Sequence, residues 1–267
     1  MEQPMPPQSI PQQRVIEKLD EHMAHRDYAG AERHLEYWLA EAQAIGDERG
    51  ELMVRNELVG HFRKTGVGAK AFEHAEAALR LLDELGYAES ISAGTTYTNV
   101  ATAYNAFGRN EESLALFRKA LNAYEASPQT APQLLGGLYN NLALTCVALG
   151  RFDEAFGWYD KALKKMSQVE HGGLEQAITY LNMADAVEAQ QAAQPKDDGA
   201  EAEREIERLL DTALELLDTP GIPRDGYYAF VCEKCAPAFG HHGYFLADED
   251  LRNRANDIYA KAEHERA

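Results

Sequence analysis

One block of sequence occurs twice in the middle of the chain, and this repetition constrains the fold more than any other feature. Residues 97–121 and 139–163 both begin with an aromatic residue, contain a glycine near the middle and end in Ala-Leu. Gly66, Gly108 and Gly150 follow one another at intervals of 42 residues. A fixed interval predicts a row of similar structural units in which each unit packs against its neighbours.

Each unit has the pattern of two helices joined by a short turn. A glycine just past a helix end can adopt the left-handed conformation, and Asn110 and Asp153 then suit the N-cap of the next helix. Small residues such as Ala101 and Ala143 recur where the two helices meet, because bulk there would push them beyond the usual ~8–10 Å. We therefore predict an all-α fold, a right-handed α-solenoid of about five helix-turn-helix pairs with a C-terminal capping helix.

These equivalent positions resemble those of the tetratricopeptide repeat. The 42-residue length resembles the repeats of kinesin light chains and of the bacterial Rap-type peptide-responsive regulators. The resemblance implies a helical binding scaffold with a concave surface formed by the first helix of each pair.

The periodic segments also predict the domain organisation. Residues 1–13, which contain Pro and Gln, are expected to form a disordered tail, followed by a single superhelical domain over residues 14–267. The turn at 190–199 is swollen by Gln, Ala and Asp, which predicts a mobile loop or frayed helix ends. The repeats are placed at about 14–46, 50–86, 93–126, 134–169 and 176–218, with a variant C-terminal pair at 224–265.

An asparagine recurs at nearly the same height on the first helix of four units: Asn56, Asn99, Asn141 and Asn182. An amide is both donor and acceptor, so it can pair with the N–H and C=O of an extended peptide. In the resembling families an Asn at this position contacts peptide backbone. The alternative is that these side chains bond to a neighbouring helix or to solvent.

The same polar face includes four further residues, which we predict to be part of the peptide-binding site: Thr102, Asn105, Asn140 and Asp185.

Cys232 and Cys235, followed by His241 and His242, form a rival candidate site. Thiols at i and i+3 share a helix face, and two histidines nearby would complete four zinc ligands. Cys232 nevertheless falls among the small packing residues, and Cys235 shares its repeat position with Cys146, which has no metal-type neighbours. We predict packed thiols, no cofactor and no metal requirement for folding.

Charge restricts the partner. Lys and Arg total 26 against 44 Asp and Glu, and the net charge of -18 repels nucleic acid and anionic membranes. We expect a protein or peptide partner that is basic or neutral, with neither nucleic acid nor membrane bound; a homo-oligomer is compatible with the sequence.

Composition and motifs also limit the class of protein. Three cysteines without framework spacing, and no apolar run long enough to span a membrane, predict a cytoplasmic protein. The absence of a nucleophile elbow or zincin signature predicts that it is not an enzyme.

The predicted function is an interaction scaffold that binds an extended peptide or a partner helix in a concave groove. A structural or oligomerisation module and a peptide-responsive regulator remain alternatives, and a Cys-x-x-Cys metal or redox site is a minor one.

Overall fold

The computed structural model describes residues 9–195 and 199–264, with side chains to residue 261. These residues form twelve α-helices and no strand, which confirms the all-α prediction. The helices are α1 (Gln12–Ala24), α2 (Tyr28–Ile45), α3 (Glu48–Thr65), α4 (Gly68–Glu84), α5 (Ile91–Ala106), α6 (Asn110–Glu125), α7 (Pro132–Ala148), α8 (Phe152–Met166), α9 (Gly173–Ala193), α10 (Ala200–Leu217), α11 (Gly226–His241) and α12 (Phe245–His264). None of these helices is long and apolar enough to cross a bilayer.

The chain divides into two compact units, the first ending at Thr130 and the second beginning at Ala131. In the first unit, α3 packs against α4 of its own pair and against α5 of the next. In the second unit, α9 packs against α10, and also against α7 and α11. Within each unit, the first helices of successive pairs therefore lie side by side. The single domain over 14–267 stays a prediction.

The last two helices form a pair of their own. α11 and α12 pack against each other in the region given above to the variant C-terminal pair, so the described residues contain six helix pairs. α11 also continues through Pro237 to His241, although proline lacks the amide N–H for one helical hydrogen bond.

Both segments predicted to lack regular structure contain residues that are ordered or helical. Ile10 is buried, its amide N donates to Asp47 Oδ2 at 2.9 Å, and α1 begins at Gln12. Residues 9–13 are therefore ordered, because Ile10 joins the core; the rest of the predicted tail, residues 1–8, lies outside the described residues. In the second segment α9 extends to Ala193 and α10 begins at Ala200, with residues 196–198 outside the described residues.

The turns have the predicted glycines but not the predicted caps. Gly108 has φ of 79° and Gly150 has φ of 71°, the left-handed region that favours glycine. Only one residue separates each glycine from the following helix, so Arg109 takes the N-cap position before α6 and Asn110 is the first helical residue. The predicted caps Asn110 and Asp153 both lie inside their helices.

Small residues allow the paired helices to approach closely. Ala101 and Ser113 are fully buried, and Ser113 Oγ donates a hydrogen bond to the Ala101 carbonyl at 2.8 Å. A methyl group at Gly94 would lie 2.3 Å from a ring carbon of Tyr124, so only glycine fits there without movement of the ring.

Two buried tyrosines differ in how their hydroxyl groups are satisfied. Among the described residues, the Tyr159 hydroxyl has no hydrogen-bond partner, and burial raises the pKa of Tyr159. The Tyr228 hydroxyl donates to the Leu217 carbonyl at 3.3 Å and accepts from Arg254 at 2.9 Å. A buried hydroxyl without a partner is destabilising, whereas removing a bonded hydroxyl leaves its partners unpaired.

Replacing Tyr159 by Phe should therefore raise the free energy of unfolding by about 1 kcal/mol, because it deletes an unpaired buried hydroxyl. The matched variant Tyr228→Phe should lower the free energy by about 1–3 kcal/mol. Urea denaturation followed by circular dichroism measures both. A loss of stability in Tyr159→Phe as large as that in Tyr228→Phe would contradict the assignment.

Candidate functional site: the α9–α11 cleft

In the first unit, two of the predicted asparagines hydrogen-bond to each other. Asn99 on α5 donates through Nδ2 to Oδ1 of Asn56 on α3, at 3.4 Å. Asn56 Nδ2 also donates to the Leu52 carbonyl at 3.0 Å and to Thr96 Oγ1 at 2.9 Å. Both the NH₂ group and the carbonyl oxygen of the Asn56 amide therefore have intramolecular partners. This is the alternative stated above, in which the asparagine bonds to a neighbouring helix.

The second unit contains a similar pair, but with a different partner from the one expected. Asn182 on α9 donates through Nδ2 to Oδ1 of Asn140 on α7, at 3.1 Å, and the pair does not include Asn141. In the described part of the chain, the half-buried side chain of Asn141 makes no hydrogen bond. The Asn141 amide thus keeps its donors and its acceptor available.

The 42-residue interval explains this pairing. Asn56, Asn140 and Asn182 are separated by whole multiples of 42, so they occupy one repeat position, with Thr98 in place of an asparagine in the intervening repeat. Asn99 and Asn141 occupy the following position. Counting from the turn glycines identifies these two positions in the sequence alone. The four asparagines predicted to be equivalent therefore belong to two neighbouring repeat positions.

Two other predicted residues are engaged locally in the first unit. Thr102 Oγ1 donates to the Thr98 carbonyl at 2.8 Å, within α5. Asn105 Nδ2 donates to Asn110 Oδ1 at 3.3 Å, across the turn into α6. These bonds connect both side chains to their own helix or turn.

A cleft of about 430 Å³ lies between α9 and α11 in the second unit. Two predicted residues, Asn182 and Asp185, are part of its wall. The remaining lining combines apolar groups with charged ones: Ile178, Leu181, Glu188, Lys234, Cys235, Pro237, Ala238 and His241. We call this feature the α9–α11 cleft.

Acidic and imidazole side chains meet at one end of the α9–α11 cleft. Glu188 Oε2 lies 2.8 Å from His241 Nε2, and Asp185 Oδ1 lies 3.2 Å from His242 Nε2. The hydrogen bond with Glu188 raises the pKa of His241. Asp185 and Glu188 share a face of α9 through their three-residue spacing, but their meeting with histidines more than 50 residues away required the structure.

The cysteines are not part of this group. Cys232 and Cys235 are buried, and burial raises the pKa of Cys235 to about 12, so its thiol stays protonated at neutral pH. Within the described residues, the histidines are grouped with Glu188 instead. The four-ligand set of two thiols and two imidazoles is therefore not assembled, and the cysteines are core residues.

The repeat family is decided by comparison with a family model. The tetratricopeptide repeat model matches residues 50–126 and 134–195, slightly more than half of the chain. The chain belongs to the tetratricopeptide repeat family. Tetratricopeptide repeat proteins are typically non-enzymatic interaction scaffolds.

One curated relative is the Photosystem I assembly protein Ycf3 of Synechococcus sp. (strain CC9311), which is 31% identical over 100 residues. The match covers 38% of this chain, and it spans about half (54%) of the length of that relative.

Two solved tetratricopeptide repeat structures have a similar fold. A putative kinesin light chain from Podosopora anserina aligns with a TM-score of 0.53 at 17% identity, over 80% of this chain and 96% of that one. NprR in complex with its cognate peptide NprX aligns with a TM-score of 0.59 at 15% identity, over 92% of this chain and 66% of that one. At these identities the likeness shows the fold alone.

The contrast between Asn56 and Asn141 gives a stability prediction. Asn56→Ala should lower the free energy of unfolding by about 1–2 kcal/mol, because the buried Thr96 hydroxyl and the Asn99 amide lose a partner. Asn141→Ala should leave stability unchanged or raise it slightly, since alanine is the better helix former. Equal destabilisation of the two variants in thermal and urea melts would contradict the distinction.

Proposed function

We propose that this protein is a non-catalytic scaffold that binds a short, extended peptide along α7 and α9 of the second unit and in the α9–α11 cleft. The observation that carries the proposal is the position of Asn182. Its side chain pairs with Asn140 on α7 and also lines the α9–α11 cleft. Asn182 therefore connects an amide-rich surface to a concave pocket.

The amides supply contacts to peptide backbone. Asn141 keeps its full hydrogen-bonding capacity, and Asn182 keeps its carbonyl oxygen after donating to Asn140. Each bond to a peptide adds a net of about 0.5–1.5 kcal/mol, so amides alone do not give tight binding. The remaining affinity and the selectivity must come from the α9–α11 cleft.

The chemistry of the α9–α11 cleft favours an apolar side chain next to a basic one. Its volume of about 430 Å³ lies within the range of small ligand pockets, and Ile178, Leu181 and Ala238 offer apolar contact. The carboxylates of Asp185 and Glu188 suit a Lys or Arg of the ligand. The net charge of -18 adds long-range attraction for a basic partner.

Two further observations support a peptide partner in the cytosol. NprR, which has a similar fold, was solved with its cognate peptide NprX, so this fold can hold a peptide. All three cysteines are free and buried, which fits a reducing compartment.

Selection from a displayed library of random 12-residue peptides on the full chain tests the proposal. Selected peptides should contain Lys or Arg near an apolar residue. Fluorescence anisotropy titrations should show an affinity about 3- to 10-fold weaker for Asn141→Ala and for Asn182→Ala, the size expected for one lost hydrogen bond.

The control is Asn253→Ala, which removes an exposed amide from α12 outside the proposed site and should leave affinity unchanged. Selected peptides that bind both site variants as tightly as the unmodified protein would contradict the proposal. Thermal melts of each variant establish that any loss of affinity is not a loss of folded protein.

A further inference from the structure

We infer that Glu188, His241 and His242, with Asp185 as the fourth ligand, form a binding site for a divalent transition-metal ion of the zinc class. This site lies at one end of the α9–α11 cleft and goes beyond the proposed peptide binding; a bound ion would compete with a basic side chain of the peptide for Asp185 and Glu188. It needs no peptide, and it uses neither cysteine.

The geometry brings the ligand atoms together from two helices. One ligand atom each from Glu188, His241 and His242 lie within 4.8 Å of one another. Asp185 Oδ1 is 3.2 Å from His242 Nε2, on the side of α9 that also carries Glu188. Zinc bonds to imidazole nitrogen and carboxylate oxygen at ~2.0–2.2 Å, so its ligand atoms stand roughly 3.3 Å apart.

Side-chain rotation would have to bring these ligand atoms from their present spacing to that of a bound ion. The His242 side chain is only 8% exposed, so the fold fixes its position. Glu188 and His241 are exposed at the end of the cleft and have rotational freedom to converge on an ion beside His242. His242 therefore fixes the position of the site, and the exposed side chains of Glu188 and His241 would complete it.

The donor set matches the charge and the ligand preference of a zinc-class ion. Two neutral imidazoles and two carboxylates supply four nitrogen and oxygen donors with a net charge of minus two. His22 and Asp27, 2.9 Å apart, form an ion pair that no third metal-type ligand joins among the described residues, whereas Glu188 has ligand atoms of both His241 and His242 within 4.8 Å. In the part of the chain that the structure describes, only the Glu188 group brings three metal-type ligands together.

A bound ion would connect α9 to α11. Asp185, Glu188 and His241 all line the α9–α11 cleft, so coordination would fix the separation of its two walls at that end. Metal occupancy would thereby set the width of the cleft without contributing to the apolar core of α11 and α12.

Isothermal titration of Zn²⁺ into the chelator-treated, dialysed full chain tests the inference. We expect saturable binding of one ion per chain. Glu188→Gln, which keeps the shape of the side chain, and His241→Ala, at an exposed position, should each weaken binding by at least about tenfold. Co²⁺ added in place of zinc should give the visible absorption of a four-coordinate ion, and both variants should lose it.

His171→Asn is the matched control, because His171 is an exposed histidine of the same unit with a φ of 58°, which asparagine tolerates. It should bind Zn²⁺ as the unmodified protein does. Absence of saturable binding, or equal affinity in Glu188→Gln and the unmodified protein, would overturn the inference. A loss of Zn²⁺ affinity in His171→Asn as large as that in His241→Ala would also overturn the inference, since it would indicate unspecific surface binding.

Zn²⁺ is the only ligand added in this experiment. Its failure therefore leaves the peptide proposal untouched, and failure of peptide selection leaves the metal inference untouched.

Discussion

The close approach of the two helices within each pair is the constraint on which the rest of the structure depends. It requires residues without bulk at the contact, as at Gly94 beneath the Tyr124 ring and at Gly136 beneath Met166. The polar side chain of Ser113 lies at this contact and is satisfied by the Ala101 carbonyl. Helix pairs packed in this way can stack with their first helices side by side, as α7, α9 and α11 do in the second unit.

The candidate site follows from this stacking. Asn182, Asp185 and Glu188 recur every three residues, so α9 carries them along one face. The neighbouring first helices then decide what each residue meets. α7 presents Asn140 to Asn182, whereas α11 presents its histidines to Asp185 and Glu188. One helix face thus carries an amide contact on one side and an acidic, imidazole-containing contact on the other.

The sequence is sufficient to predict the features that are encoded locally. The turn glycines at a fixed interval and the buried alanines predict the helix pairs, because left-handed turns and close contacts demand specific residues. The predicted caps of α6 and α8 are wrong, since α6 begins one residue and α8 two residues closer to the turn glycine than a capping Asn110 or Asp153 would need. Local composition also did not reveal that the Ile10 side chain joins the core while its backbone amide donates to Asp47.

The parts of the site that depend on distant contacts were beyond sequence reasoning. Four asparagines in similar surroundings appeared equivalent, yet Asn56 is bonded at both ends and Asn141 is free within the described residues. Cys232 and Cys235, which the sequence assigns to packing, are buried in the core, whereas His241 meets Glu188 of α9, a partner that the sequence does not indicate. A repeat sequence identifies equivalent positions, but which neighbours those positions face depends on the packing of whole helices.

The most direct test of the proposed peptide site is to observe its side-chain amides during binding. In ¹⁵N-labelled protein, titration with a library-selected peptide should shift the side-chain NH₂ resonances of Asn141 and Asn182, while that of Asn253 on α12 stays in place. The account predicts that these shifts saturate together with the anisotropy signal. Unchanged Asn141 and Asn182 resonances in the presence of saturating peptide would contradict it.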